Sequence, residues 1–112
     1  MLTFRRRPTV FEVDTSAIPA SVSPSRHIVL YEDTWQHITI NHPELQGKEG
    51  MVEEVVRNPS AIYASHSVGG SYLFVKSGVT DFAGRPLRVV VKGGMVTTAY
   101  FTSSTGASRL WP

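Results

Sequence analysis

Residues 87–103 read LRVVVKGGMVTTAYFTS, two largely apolar runs joined by a pair of glycines. Adjacent glycines supply the positive-φ positions of a two-residue β-hairpin turn, so the stretch predicts two antiparallel strands. A regular hairpin would place Arg88 opposite Ala99 and Leu87 opposite Tyr100. A single bulge would turn the residues beyond it to the opposite faces of the sheet.

The same alternation of apolar and polar residues occurs on the N-terminal side of this hairpin, in segments bounded by glycine or proline. It predicts a succession of four antiparallel strands. The four predicted strands are Ala61–Ser65, Ser71–Lys76, Leu87–Lys92 and Met95–Ser103.

Two segments before these strands have helical spacing. Residues 48–57 carry an apolar stripe and end before a proline, which predicts a helix. A second helix is predicted from Asp33, as its N-cap, to His42, although the alternation of Ile38 and Ile40 is a competing strand signal. The order of elements predicts an α+β fold with a small antiparallel sheet of four to five strands and two short helices packed on one face.

The first quarter of the chain differs from the remainder. Residues 3–14 form a basic, strand-like segment, and residues 15–25 are rich in serine, proline and alanine without periodicity, which predicts a loop or linker. We therefore divide the chain into residues 1–26, an N-terminal basic strand with a Ser/Pro-rich loop, and residues 27–112, the α+β domain.

Composition restricts the class of protein. With 41% hydrophobic and 18% charged residues among 112, the chain can form one globular core. The absence of cysteine excludes disulfides and thiolate chemistry. Neither a membrane-spanning run nor a signal-peptide core is present, so we expect a cytoplasmic protein without membrane association. Eight of the eleven basic residues are arginine, which permits contact with nucleic-acid phosphates.

Histidine is the candidate acid–base residue, since imidazole is the side chain suited to proton transfer near neutral pH. His42 lies between a predicted helix end and Pro43, where its ring could project into a groove or simply cap the helix. Glu44 could orient one ring nitrogen or be an exposed turn acid. The spacing of five between His37 and His42 does not match a helical metal pair, so we expect no metal and no other cofactor.

The last predicted strand concentrates hydroxyl groups, at Thr98, Tyr100 and Thr102 among others. Threonine is also common on a solvated sheet face, which is the simpler interpretation. The cations on the adjoining predicted strands are Lys76, Arg88 and Lys92. A face that carries cations beside hydroxyls would suit a phosphodiester, because cations stabilise the charge of its transition state.

Several short motifs occur here in a fixed order. They are Trp35-x-x-Ile38-x-x-x-His42-Pro43-Glu44-Leu45, Arg57-Asn58-Pro59-x-x-Ile62-x-x-Ser65, Leu87-x-Val89-Val90-Val91 and Val96-x-Thr98-Ala99-Tyr100. Across residues 28–103 this arrangement resembles the phage-associated branch of the Barnase, EndoU, Colicin and RelE-like (BECR-fold) nucleases. The resemblance implies a metal-independent ribonuclease of the toxin or effector type, in which the 2′-hydroxyl of the RNA attacks the adjacent phosphate. RNA would be its partner, a protein inhibitor such as an antitoxin or immunity protein would accompany it, and it would act in the cytoplasm of its own or a target cell.

The resemblance also assigns functional positions. It places catalytic groups at His42, Ser65, Thr98 and Tyr100. From strand position we add Arg88 to the catalytic set, and as substrate-binding residues Glu44, Lys76, Lys92 and Thr102. The family often has a basic residue directly before the histidine, where this chain has Asn41. That departure favours the competing hypothesis, a noncatalytic binding or interaction protein of the same fold.

Overall fold

A seven-stranded mixed sheet and two α-helices make up the part of the chain that the computed structural model describes, residues 8–14, 27–65, 70–81, 85–101 and 107–111. The elements in chain order are β1 (Thr9–Asp14), β2 (His27–Tyr31), α1 (Glu32–Asn41), a 3-10 turn (Pro43–Leu45), α2 (Glu49–Arg57), β3 (Ala61–Ser65), β4 (Ser71–Asp81), β5 (Arg85–Lys92), β6 (Met95–Phe101) and β7 (Ala107–Trp111). The predicted N-terminal loop at residues 15–25 and the arginines at 5–7 lie outside the described residues.

The sheet is larger than the sequence predicts and is not wholly antiparallel. Its strand order is β1-β2-β6-β5-β4-β3-β7. All neighbouring strands are antiparallel except β2 and β6, which pair in parallel at one position, Val29 with Met95. The predicted four- to five-stranded antiparallel sheet is thus wrong in strand number, because β1 and β2 extend one side and β7 adds to β3 on the other.

Helix α2 covers the sheet as its apolar stripe predicts. Val52, Val55 and Val56 are fully buried and belong to the same core as Phe74 of β4 and Val89 of β5. Burying each such side chain contributes about 1.5–3 kcal/mol relative to exposure, so this contact ties the helix to the middle of the sheet. Strand β1 joins the same core through Phe11 and Val13.

Helix α1 begins differently from the prediction. Its N-cap is Tyr31, which makes no side-chain capping bond, whereas Asp33 lies within the first turn. Strand β2 runs directly into the helix, and the backbone N–H of Glu32 donates to the carbonyl of Pro8, 3.0 Å away. The carbonyl of Pro8, directly before β1, therefore satisfies one of the N–H groups that have no partner within the helix.

The β5–β6 hairpin contains a bulge that alters the predicted register. Lys92 pairs with Met95 and Val91 with Val96, but Val90 then pairs with Thr98, and Thr97 is the extra residue. Beyond the bulge Arg88 pairs with Tyr100, and Leu87 with Phe101. The bulge places Ala99 and Phe101 on the buried face and Tyr100 on the other, which reverses the faces of a regular hairpin.

The hairpin turn offers a direct test of backbone conformation. Gly93 has φ +60° with open space around its Cα, so Gly93→Ala should cost about 1 kcal/mol of unfolding free energy through backbone strain alone. Gly50 of α2 also faces open space but has no positive φ, so Gly50→Ala should raise stability by about 0.5 kcal/mol. Urea unfolding of the two variants measures both effects. If both substitutions changed the free energy of unfolding in the same direction, this assignment of the turn would be contradicted.

Candidate active site

His42 lies at a sharp change of chain direction. Its backbone has φ −132° and ψ 73°, outside the helical region, and its N–H donates to the carbonyl of Ile38 at 2.7 Å. Its own carbonyl accepts from the N–H of Leu45 at 3.0 Å, which starts the 3-10 turn. Proline at position 43 disfavours helical geometry in the preceding residue, so the local sequence itself sets this backbone. The two backbone bonds hold His42 between α1 and the turn.

Tyr100 and Arg88 come together through strand pairing. They are direct partners across β5 and β6, and they share the face of the sheet opposite to the buried residues Ala99 and Leu87. On the β2 side, β6 is bridged only at Met95, so within the described residues no strand pairs with Tyr100 from that side. Helix α1 also packs against β6.

The rings of His42 and Tyr100 are in contact. Their centroids are 5.9 Å apart and the ring planes differ by 30°, a stacked arrangement within the usual range for aromatic pairs. The guanidinium carbon of Arg88 lies 5.9 Å from the centroid of the Tyr100 ring, within the reach of a cation–π interaction. An imidazole, a phenol and a guanidinium therefore meet in one cluster, which we call the His42–Tyr100–Arg88 cluster.

Glu44 adds a carboxylate to this cluster. Its Oε1 lies 3.6 Å from Nδ1 of His42, and the two side chains are 26% and 33% exposed. This distance is longer than a good hydrogen bond, but it places the carboxylate beside Nδ1 and so favours a ring orientation with Nδ1 toward Glu44. With Nδ1 directed to Glu44, Nε2 is the nitrogen of His42 that remains for proton transfer. Glu44 thus contacts His42, as the orienting alternative requires, and its predicted contact with substrate stays a prediction.

Arg88 is a cation with little exposure. It is 8% exposed, and water therefore screens its charge less than it screens a surface arginine. A guanidinium held in such an environment acts strongly on any negative charge that develops beside it. The cluster accordingly combines a proton carrier, a hydroxyl group and a fixed positive charge.

Two further predicted site residues, Thr98 and Lys92, lie on the same face of the sheet as the cluster. Lys92 is farther from the cluster than Thr98. Thr98 lies two residues before Tyr100 on β6 and pairs with Val90, so its half-buried side chain is a neighbour of the tyrosine. Lys92 is exposed at the hairpin end of β5, four residues from Arg88, or about 13 Å along an extended strand. Thr98 is thus the nearer of the two to the cluster along the sheet, and the predicted role of Lys92 stays a prediction.

The other three predicted residues are Lys76, Ser65 and Thr102. Lys76 lies on the opposite face, where its Nζ donates to the carbonyl of Asn58 at 2.8 Å. The backbone of Ser65 ends β3, which is separated from β6 by β4 and β5, and its side chain lies outside what the structure describes. Thr102 also lies outside the described residues.

Lys76 should act on the stability of the fold. Its Nζ bonds the carbonyl at the end of α2 and lies 3.7 Å from Glu54. Lys76→Met keeps the aliphatic stem but removes both contacts, so we expect a loss of about 1 kcal/mol in the free energy of unfolding, measured in urea. Lys92→Met, which removes an exposed cation, is the control and should leave stability within about 0.5 kcal/mol. An unchanged free energy of unfolding in Lys76→Met would contradict this role of its two contacts.

Asn41 directly precedes His42 and is the last residue of α1. Its Nδ2 donates to the carbonyl of His37 at 3.2 Å and lies 3.1 Å from Nε2 of the same histidine. The side chain therefore folds back along α1. It reinforces the last turn of the helix. Among the described contacts, none joins Asn41 to the cluster.

A groove between α1 and β6 contains residues that the sequence analysis does not place in the candidate site. It is lined by Asp33, Thr34, His37, Met95, Val96 and Thr97. Asp33 and His37 are four residues apart and so share a face of α1, which is the one signal visible in the sequence. Their meeting with β6 depends on the parallel bridge between Val29 and Met95, which local patterning does not predict.

No protein-family model, curated protein or solved structure matches this chain. Across the described ranges, no three His, Asp or Glu side chains gather as a metal site would require. In that same part of the chain, no helix is both long and apolar enough to cross a membrane. Function is therefore inferred from the chemistry of the side chains themselves.

Proposed function

We propose that this protein is a metal-independent endoribonuclease of the BECR type, which cleaves RNA by attack of a 2′-hydroxyl on the adjacent phosphate. The contact between His42 and Tyr100 carries the proposal, since two proton-transferring groups that act on one phosphate must lie within about one nucleotide of each other. They come from distant parts of the chain and meet on one side of β6.

Each group has a definite task in the proposed reaction. Nε2 of neutral His42 accepts the proton of the 2′-hydroxyl as its oxygen bonds to phosphorus. The hydroxyl of Tyr100 gives a proton to the 5′-oxygen as the bond between that oxygen and phosphorus breaks. The products are a 2′,3′-cyclic phosphate and a 5′-hydroxyl. A proton passing from His42 to Tyr100 through solvent then restores the starting state.

Arg88 stabilises the negative charge that accumulates on the phosphate oxygens during this reaction. It is the cation that contacts the Tyr100 ring, whereas Lys76 points to α2, so we assign this role to Arg88. Thr98 is a hydroxyl donor to the same phosphate. Glu44 holds the His42 ring with Nδ1 turned away from the substrate.

The decisive experiment is incubation of the purified protein with total RNA in excess EDTA. We expect cleavage that survives the chelator, yields 2′,3′-cyclic phosphate ends and disappears in His42→Ala. The matched control is His27→Ala, because His27 is an exposed histidine whose side chain pairs with Glu12 at 3.2 Å between β1 and β2, away from the cluster. Intact RNA in the presence of wild-type protein would favour a noncatalytic binding or interaction protein of the same architecture.

A further inference from the structure

A row of four paired residues crosses the sheet from β6 to β3. Its members, each the direct partner of the next, are Thr98, Val90, Leu73 and Tyr63. Directly paired residues place their side chains on the same face of a sheet. Ile62, the residue before Tyr63, is fully buried in the core that includes α2, so alternation along β3 directs Tyr63 to the opposite face. This Thr98–Tyr63 row therefore lies on the face that carries Tyr100 and Arg88.

The row connects a half-buried tyrosine to the proposed catalytic cluster. Leu73 in its middle is 4% exposed, whereas Tyr63 and Val90 are half-buried and keep part of their side chains accessible. Thr98 lies two residues from Tyr100 on β6, so the row ends beside the cluster. With an aromatic ring at its far end and aliphatic side chains between, the row forms a platform on which flat, apolar groups can pack.

Two cations flank the row on β5. Arg88 and Lys92 are each two residues from Val90 and share its face by the alternation of the strand. Arg88 is largely buried beside Tyr100, whereas Lys92 is exposed. A chain that follows the row would pass between these positive charges, about 7 Å from each along the strand. The arrangement favours a polyanion with flat side groups, which is the chemistry of single-stranded RNA.

The length of the row sets how much RNA lies along it. The row crosses four neighbouring strands in three steps of about 4.8 Å, which separates Thr98 from Tyr63 by about 14 Å. A stacked nucleic-acid strand rises about 3.4 Å per nucleotide, so about four nucleotides cover this distance, and fewer do so in an extended strand. A dinucleotide bound at the cluster is therefore too short to bring a base onto Tyr63.

We infer that the Thr98–Tyr63 row binds the single-stranded RNA next to the cleaved phosphate, with one base stacked on the ring of Tyr63. The inference rests on the proposed ribonuclease function, since the cluster at one end of the row is the proposed place of cleavage. Stacking on an aromatic ring tolerates any sequence, because every base has a π-face. The row therefore favours longer RNA over short fragments and selects no particular base at Tyr63.

The test measures binding of RNA that cannot be cut. A 2′-O-methyl dinucleotide and hexanucleotide lack the attacking hydroxyl, and amide chemical shifts report the site and the affinity of each. We expect the hexanucleotide alone to shift the amides of β3. Tyr63→Leu, which removes the ring, should bind the hexanucleotide about tenfold more weakly, and Tyr63→Phe should bind it as wild type does. Tyr72→Leu is the matched control, because Tyr72 lies on the opposite face of β4 against the core, and it should leave the affinity unchanged.

The outcome separates this binding surface from the catalytic proposal. If folded Tyr63→Leu binds the hexanucleotide as tightly as wild type, or if no amide of β3 shifts, the inference is overturned even if the protein cleaves RNA. A wild-type protein that does not bind the hexanucleotide would also overturn it, and would favour a protein partner on this face. A loss of affinity in Tyr63→Leu that is absent from Tyr72→Leu would support it even if RNA stays intact, because neither probe can be cut.

Discussion

Replacement of His42 by glutamine should reduce RNA cleavage by about 100- to 10,000-fold, the usual contribution of a general acid or base. Glutamine is similar in length and can keep a hydrogen bond, but it cannot carry a proton near neutral pH. The backbone bonds of residue 42 to Ile38 and Leu45 do not involve the side chain. The melting temperature should therefore change little, although the cleavage rate falls by this factor.

The control for this variant is His27→Gln, which makes the same chemical change at an exposed position on β2. Single-turnover cleavage of a labelled RNA and thermal unfolding should be measured on both proteins. Wild-type cleavage rates in folded His42→Gln would remove His42 from the mechanism. A large drop in melting temperature would instead indicate that the ring serves mainly to pack α1 against β6.

The second large effect is expected for Tyr100→Phe, with a loss of cleavage again about 100- to 10,000-fold. Phenylalanine keeps the ring, and with it the stacking on His42 and the contact with Arg88. Only the hydroxyl is lost. A role in packing thus predicts no change in rate, and a role in proton transfer predicts the full loss at nearly constant stability.

Tyr72→Phe is the matched control, since Tyr72 is a half-buried tyrosine of β4 that packs against the core. The double variant, His42→Gln with Tyr100→Phe, adds a further test. If the two groups act as one unit, its rate should be close to that of the slower single variant, because such effects are strongly non-additive. Rates that multiply, or a Tyr100→Phe protein as active as wild type, would show that the tyrosine hydroxyl does not cooperate with His42.

Local sequence patterns correctly predicted the elements that are specified by residues close together in the chain. The stripe of Val52, Val55 and Val56 predicts α2, and the structure places all three in the core. Strand β3 has the predicted bounds, and the glycine pair forms the predicted turn with φ of +60° and +77°. In each case the spacing of apolar residues or the need for positive φ operates within one element, so no distant contact is needed to infer it.

The arrangement of these elements in the sheet was harder to predict from the sequence. The C-terminal strand β7 and the parallel bridge between β2 and β6 were not predicted, because pairing between strands far apart in sequence depends on the surfaces that meet and not on local periodicity. Asp33 was predicted as a cap, but the carbonyl of Pro8 serves the start of α1. The groove beside Asp33 exists only as a result of this pairing.

The sequence by itself determined where His42 lies, since Pro43 ends the helix and removes residue 42 from helical geometry whatever surrounds it. The tertiary structure decided what His42 meets. In a regular hairpin Tyr100 would face the core opposite Leu87, but the bulge at Thr97 turns Phe101 inward, where it is 8% exposed, and pairs Tyr100 with Arg88. Burying Phe101 and Ala99 in place of polar hydroxyls favours this register by about 1.5–3 kcal/mol for the phenylalanine alone. That gain exists only once α2 and the rest of the sheet have formed the core, which is why no local pattern in residues 95–101 reveals it.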